Sequence, residues 1–319
     1  MVCYIVAKSE AGGRMDKFIK SRLHSAPDSF IYKMARKKNL TLNGKKCEGR
    51  EILKEGDEIK LFVSYETIAL FSGVAETNTQ SLQSYEKAYA SLKGISILKE
   101  TEDLLFVDKP SGILSQKAKE SDLSVNEWAV GYLLKEGKIN RDTLNSFHPS
   151  VLNRLDRNTS GIVICSVTPL GSRVGSKLLR ERSVHKYYEC LVKGDCPLNG
   201  RLTGFWVKDN AANIATIKQN LNDFPENVRK QAKEVALSIK RIDGNKQTTR
   251  LEIELETGKS HQIRAMLSSF GYPLVGDYKY GNEKSRNGQC LHAARLEFPA
   301  LVAELPYLNG LTITSKPEF

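Results

Sequence analysis

Four short polar segments hold the side chains that could do chemistry. In Asn153-Arg154-Leu155-Asp156-Arg157-Asn158-Thr159-Ser160-Gly161 an aspartate lies between two arginines, just ahead of an apolar run. Neighbouring positive charge keeps a carboxylate ionised, although an ordinary loop salt bridge gives the same pattern. Lys186-Tyr187-Tyr188 opens a strand-like run, where paired tyrosines are usually packing residues. In Thr257-Gly258-Lys259-Ser260-His261-Gln262-Ile263-Arg264 an alternating strand breaks at Gly258 and a helix follows. Polar and basic groups crowd onto that corner, a usual place for anion contacts, but it lacks the G-x-x-x-x-G-K-[ST] spacing of a P-loop. Val275-Gly276-Asp277-Tyr278-Lys279-Tyr280-Gly281 is turn-rich and precedes Leu291-His292-Ala293.

The elements that must position these groups are visible as periodicities. Leu104-Leu105-Phe106-Val107-Asp108 and Gly161-Ile162-Val163-Ile164-Cys165 read as buried strands, the first stopped by the turn Lys109-Pro110-Ser111-Gly112. Ser124 is placed to cap a helix from Val125 towards Leu134, and Pro169 to open one that carries Leu178 and Leu179. Lys186 to Val192 is a strand, and Leu251-Glu252-Ile253-Glu254-Leu255-Glu256 alternates as a sheet with one face in water does. Strands outnumber helices without a regular strand-helix alternation, which predicts an α+β domain over residues 95–319, with a mixed, mostly antiparallel sheet flanked by helices and loops.

Residues 1–64 read as a small α+β unit. Helical spacing recurs at Met15, Phe18, Ile19 and Leu23 and at Phe30, Ile31 and Met34, followed by a hairpin turning at Asn43-Gly44 and a strand Ile59–Val63. Residues 65–94 are rich in Ser, Thr, Gln and Ala and read as a linker, with some helix around Leu82 to Leu92.

The 319 residues carry a formal net charge of +11, which favours a polyanionic partner over a merely basic soluble protein. Residues 14–64 hold 13 Lys or Arg against 7 Asp or Glu, over half of that surplus. No apolar stretch is long enough for a membrane span and no leader is evident, so a cytoplasmic protein is expected. The six cysteines form no C-x-x-C pair, and Cys165 and Cys190 sit in apolar runs as buried thiols. Neither a metal site nor a cofactor motif is expected.

Taken in order, the blocks Arg-Leu-Asp-Arg-x-Thr-Ser-Gly, Lys-x-Tyr, Glu-Thr-Gly-x-Ser-His-Gln-Ile-Arg, Gly-Asp-x-x-Tyr-Gly and Leu-His-Ala resemble the RluA-type pseudouridine synthase family, and Asp103 to Gly112 looks like its opening strand and turn. The resemblance covers roughly residues 95–300. Residues 12–64 look like the small RNA-binding domain of ribosomal protein S-four, mainly through Arg14-Met15-Asp16-Lys17-Phe18 and the Asn43-Gly44 hairpin. The resemblance implies an RNA pseudouridine synthase, without cofactor and expected to be a monomer. It places the catalytic aspartate on Asp156, the conserved tyrosine on Tyr188 rather than Tyr187, and the arginine paired with the aspartate on Arg264. Arg154 matches the arginine that helps hold the RNA around the extruded base, with Arg157 beside it. Asn153 stands where the family commonly has His.

Arg14, Lys17, Arg36, Lys37, Lys38 and Lys45 are the expected RNA contacts of the N-terminal unit. Attack of Asp156 on the ribose, attack on the base and abstraction of a sugar proton all remain open as routes. Large-subunit ribosomal RNA is the leading substrate, with transfer RNA second. The competing readings are a non-catalytic RNA-binding or ribosome-assembly factor, and a glycosidase, which would normally need two carboxylates.

Overall fold

The apolar runs at 104–107 and 161–165 need a sheet covered on both faces, and the computed structural model of the chain provides one. It describes residues 1–72, 79–140, 143–144, 147–282 and 288–319.

The N-terminal unit comprises β1 (Val2–Ile5), α1 (Met15–Lys20), α2 (Asp28–Arg36), β2 (Leu40–Leu42), β3 (Lys45–Lys46) and β4 (Glu58–Leu61). Its strands pair antiparallel in the order β1-β4-β2-β3. Asn43 and Gly44 join β2 to β3 with φ of 50° and 73°, the two left-handed residues a tight hairpin requires. Met15, Phe18 and Ile19 of α1 and Ile31 and Met34 of α2 cover the sheet as a separate core.

The stretch read as a linker carries two helices, α3 (Tyr65–Ser72) and α4 (Thr79–Ser91), and residues 73–78 between them lie outside the described residues. Phe71 of α3 packs its ring 4.5 Å from that of Phe30, on the N-terminal core. In α4, Ala88 is fully buried and belongs to the core of the large sheet. Helix α4 overlaps the helix expected around Leu82 to Leu92, whereas α3 left no periodic signal in the sequence.

The remaining elements are β5 (Ser96–Glu100), β6 (Leu104–Lys109), α5 (Val125–Lys135), β7 (Ser160–Ser166), α6 (Pro169–Arg180), β8 (His185–Lys193), β9 (Gly200–Asp209), β10 (Ile214–Lys218), α7 (Glu226–Arg229), β11 (Lys233–Gly244), β12 (Thr248–Glu254), α8 (Gln262–Ser269), α9 (Tyr278–Gly281), β13 (Leu291–Glu297) and β14 (Thr312–Thr314). Among the described residues, ten strands form one sheet in the order β10-β9-β11-β12-β8-β13-β7-β6-β5, with β14 on β13. Every pairing is antiparallel except β13 with β7. The expected α+β class with a mixed, mostly antiparallel sheet is what the chain adopts. Strands β9 to β11 were not evident from the sequence, and they extend the sheet beyond β12.

Side chains alternate across the sheet as the pleat dictates. Leu105 and Val107 of β6 and Val163 and Cys165 of β7 face α5 and α8, whereas Leu104, Phe106, Ile162 and Ile164 face α6 and the C-terminal segment. Burial pushes the Cys165 thiol up to about 12 and the Cys190 thiol upward too. In β12, Leu251 and Ile253 are buried while Arg250 and Glu252 pair with Glu189 and Arg295 on the wet side.

Ser124 accepts from Asn126 N–H and caps α5, and Thr168 caps α6 ahead of Pro169. Helices α4 and α5 meet where Gly131 leaves no room: a Cβ there would sit 2.3 Å from the Tyr85 carbonyl oxygen. Gly131→Ala is therefore expected to lower stability by about 1–3 kcal/mol, measured as a fall in the urea midpoint at unchanged slope.

Candidate active site

The loop that carries Asp156 runs into β7 and is held on both sides. Ser115 Oγ donates to Leu155 O and accepts from Leu155 N, each at 3.0 Å. Gly112 N–H donates to Arg157 O at 2.9 Å, and Ser111 Oγ donates to Asn158 O at 3.1 Å. Lys109 is 0% exposed, and its Nζ donates to the carbonyls of Pro110, Ile113 and Arg157 at 3.0, 2.9 and 3.0 Å. The turn at 109–112 is thus a strut for this loop, and buried backbone without such partners would be costly. Burial pushes the Lys109 pKa down to about 7, opposed by the charges of Asp156 and Asp108.

Gly161 has φ of 109°, and a Cβ on it would sit 2.3 Å from Ala293 O, so glycine is what lets β7 approach β13. Asn153 donates to Ile162 O and accepts from Ile164 N–H, at 3.1 and 2.7 Å. The residue that departs from the family pattern therefore pins the loop to β7.

The second half of the site is the corner between β12 and α8. Gln262 fixes it by donating to Ala236 O at 3.1 Å while its Oε1 accepts from Lys259 N at 3.0 Å. This sets Arg264 in the first turn of α8. Its Nε and Nη2 donate to the two oxygens of Asp277, at 2.8 and 2.9 Å, and its Nη1 donates to Asp156 Oδ2 at 2.9 Å. Asp277 also caps α9 by accepting from Lys279 and Tyr280 N–H. Burial disfavours the Arg264 charge, but the bonds and charge of Asp277, then Asp156, outweigh it and hold the pKa above the ordinary arginine range. The side chains of the two carboxylates differ in access: Asp277 is 0% exposed and Asp156 28%.

Asp156 opens into a cleft with two lobes. One, of about 480 Å³, is lined by Asp156, Lys186, Tyr188, Leu255, His261 and Arg264. The other, of about 610 Å³, is lined by Asp156, Lys117, Arg157, Lys208 and Lys279. Tyr188 is buried, and burial together with the charge of Asp156 raises its pKa, so the phenol stays protonated. Tyr187 points the other way, with Arg295 3.9 Å above its ring, as alternation along β8 demands. A third hollow, of about 720 Å³, has Glu10, Glu100 and Glu102 in its wall, the wrong sign for a polyanion.

Asp156, Tyr188 and Arg264, far apart in sequence, are thus brought together. Arg154 and Arg157 are exposed on the rim; among the described residues, Asp156 pairs with Arg264, and His261 Nε2 lies 3.8 Å from the same oxygen, whereas its flanking arginines do not pair with it. Lys17, Arg36, Lys37, Lys38 and Lys45 are exposed on the N-terminal unit and line neither lobe. Arg14 pairs with Asp16 at 2.7 Å. Sequence reading assigned no role to Lys109, His261, Asp277 or Tyr280, although all four stand in the ordered blocks. Lys208, in a strand far from any block, left no signal.

Residues 103–269 match the family described as RNA pseudouridylate synthase. An uncharacterized RNA pseudouridine synthase of Mycoplasma genitalium is 32% identical, over 97% of this chain and 93% of its own length. Ribosomal large subunit pseudouridine synthase C of Escherichia coli K12 is 26% identical, over 92% of this chain and 87% of its own. The solved structure of human RNA pseudouridylate synthase domain containing 4 has the same fold, with a TM-score of 0.54 at 18% identity, covering 74% of this chain and 92% of that one. The chain belongs to the RNA pseudouridine synthase family, of the RluA type. It is an isomerase that acts on uridine in RNA, and among its described residues no helix is long and apolar enough to cross a membrane.

Two outcomes follow from the buried charges. Asp277→Ala strands the Arg264 guanidinium and uncaps α9, so stability should fall by about 3–5 kcal/mol, read by urea denaturation. For Lys109, the folded pKa near 7 lies below its ordinary value of 10.5, so the unfolded chain binds the extra proton between the two. Stability should then rise with pH from about 7 to about 10 relative to Lys109→Met; parallel pH profiles for the two proteins would contradict a depressed lysine.

Proposed function

We propose that this enzyme converts specific uridines of large-subunit ribosomal RNA to pseudouridine, with Asp156 as its catalytic carboxylate. The observation that carries the reading is the asymmetry around Arg264: of its two carboxylate partners, Asp277 is sealed and Asp156 faces the cleft. The reaction breaks the bond from ribose C1′ to uracil N1, turns the base and joins C1′ to C5, while C5 loses a proton and N1 gains one. Attack on the ribose, attack on the base and abstraction of a sugar proton all need an ionised carboxylate against the sugar–base bond. Arg264 Nη1, donating to Asp156 Oδ2 at 2.9 Å, holds that carboxylate at the cleft wall.

Tyr188 forms part of the wall beside Asp156. Its raised pKa favours stacking on the detached uracil, or relaying the C5 proton, over acting as a resident phenolate. A stacked uridine hides its glycosidic bond, so the target must be flipped out at a cost of a few kcal/mol. Arg154, Arg157, Lys208 and Lys279 on the cleft walls then hold the distorted backbone. Lys17, Arg36, Lys37, Lys38 and Lys45 of the S-four-like unit add phosphate contacts at a distance from the chemistry. The choice of ribosomal RNA over transfer RNA rests on the relatives from Escherichia coli and Vibrio vulnificus, both called ribosomal large subunit pseudouridine synthase C.

Asp156→Asn should abolish tritium release from C5-labelled large-subunit RNA. RNA affinity should hold or rise slightly, because a negative charge leaves a phosphate-binding cleft. Full release by that variant would refute the carboxylate assignment, and release from transfer RNA alone would reassign the substrate.

A further inference from the structure

His261 occupies a position where its backbone is strained. It precedes α8 with φ of 54°, in the left-handed region, and its side chain caps nothing. Such a conformation costs energy and persists only where the surroundings fix it. Here Trp206 Nε1 donates to Ser260 O at 3.0 Å, and the Gln262 clamp holds the other side. The effect is to turn the imidazole into the cleft, with 10% of its side chain exposed.

The ring is tethered by a directed chain of hydrogen bonds. Ala215 N–H, in β10, donates to Tyr280 Oη at 2.8 Å. The same hydroxyl lies 2.9 Å from His261 Nδ1. A phenol has one proton, and with its oxygen accepting from Ala215 that proton is free to go to Nδ1. A neutral imidazole that accepts at Nδ1 carries its hydrogen on Nε2, and Nε2 faces Asp156 Oδ2 at 3.8 Å. The ring meets Asp156 from the 153–159 loop, Arg264 from its own helix, Lys279 from α9 and Lys208 from β9. Burial first, then the three cations, hold its pKa below the ordinary histidine value against the pull of Asp156.

Both approaches to Asp156, from Arg264 Nη1 and from His261 Nε2, converge on the same oxygen, Oδ2. We propose that His261 is a positioning residue: as a neutral imidazole oriented by Tyr280, it closes on Oδ2 together with Arg264 when RNA is bound and leaves Oδ1 for the sugar–base bond. The gap of 3.8 Å is longer than a hydrogen bond, and contacts of this kind tighten in the substrate complex. A histidine serves here where a lysine would not, because a second full cation on Oδ2 would draw charge from the carboxylate that must react. The inference rests on Asp156 being the catalytic carboxylate.

The test combines spectroscopy and kinetics on the full chain. Long-range 1H–15N spectra at pH 7 should show His261 neutral with the hydrogen on Nε2; an Nδ1–H tautomer or an imidazolium would overturn the proposal. With labelled large-subunit RNA, His261→Leu should lower kcat about 100-fold with KM little changed, and His261→Gln, whose amide keeps a donor, should recover about tenfold of that loss. Tyr280→Phe removes the proton offered to Nδ1, so the acid limb of the kcat profile should move to higher pH. Wild-type kcat in His261→Leu, or an unmoved acid limb in folded Tyr280→Phe, would sink the inference. Asp156→Asn, assayed alongside, separates the two levels: activity there removes the premise, whereas an inactive Asp156→Asn beside fully active His261 variants removes only the role of His261.

Discussion

The site is organised around one buried guanidinium. Arg264 has donors in a rigid plane, and in a dry interior its charge is tolerable only if acceptors meet them at the right angles. Asp277 takes two and Asp156 takes one, which ties three chain segments, around residues 156, 264 and 277, to a common plane. Because Asp277 is itself sealed, it too needs donors, and α9 begins where it finds them. A carboxylate that faces the cleft is thereby held by a guanidinium that Asp277 has already fixed in place. The pair is partly buried and is therefore screened less by salt than an exposed one.

That arrangement demands a loop that cannot drift. Asp156 is on irregular backbone, and irregular backbone near a core leaves carbonyls to be satisfied. Lys109, buried inside the molecule, satisfies three of them, including Arg157 O one residue beyond the aspartate. Gly161 then allows the strand that follows to lie against β13. The motif residues around Asp156 are mostly structural in this sense: Asn153 and Gly161 hold the loop and the strand it enters, and the aspartate is what they present.

Much of the architecture was legible beforehand, and the reasons are physical. Strands covered on both faces leave unbroken apolar runs, as at 104–107 and 161–165, and strands with a wet face leave alternation, as at 251–256. Ser124 and Pro169 marked helix starts. Strand β9 is mostly part-exposed and leaves no such signature, in β10 the exposed Ile214 and buried Ala215 break the match of polarity to burial, and the Ser-, Thr- and Gln-rich composition of residues 65–94 made that stretch look like a linker. At the site, order along the chain pointed to Asp156, Tyr188 and Arg264, while the partners that support them stayed silent. A buried Asp277 and a turn aspartate look alike in sequence, and so do a buried Lys109 and a surface lysine.

By itself, the sequence determined most of the strands and helices around the site, the basic surplus, and the series of blocks whose family resemblance singles out Tyr188 over Tyr187. Only the tertiary structure decided which charges meet. The flanking arginines that seemed to neutralise Asp156 stand on the rim, because adjacent side chains on a tight loop diverge. Its true partner, Arg264, lies 108 residues away. Local chemistry can be read along a chain, but the pairing and burial of charge depend on which segments folding brings into contact.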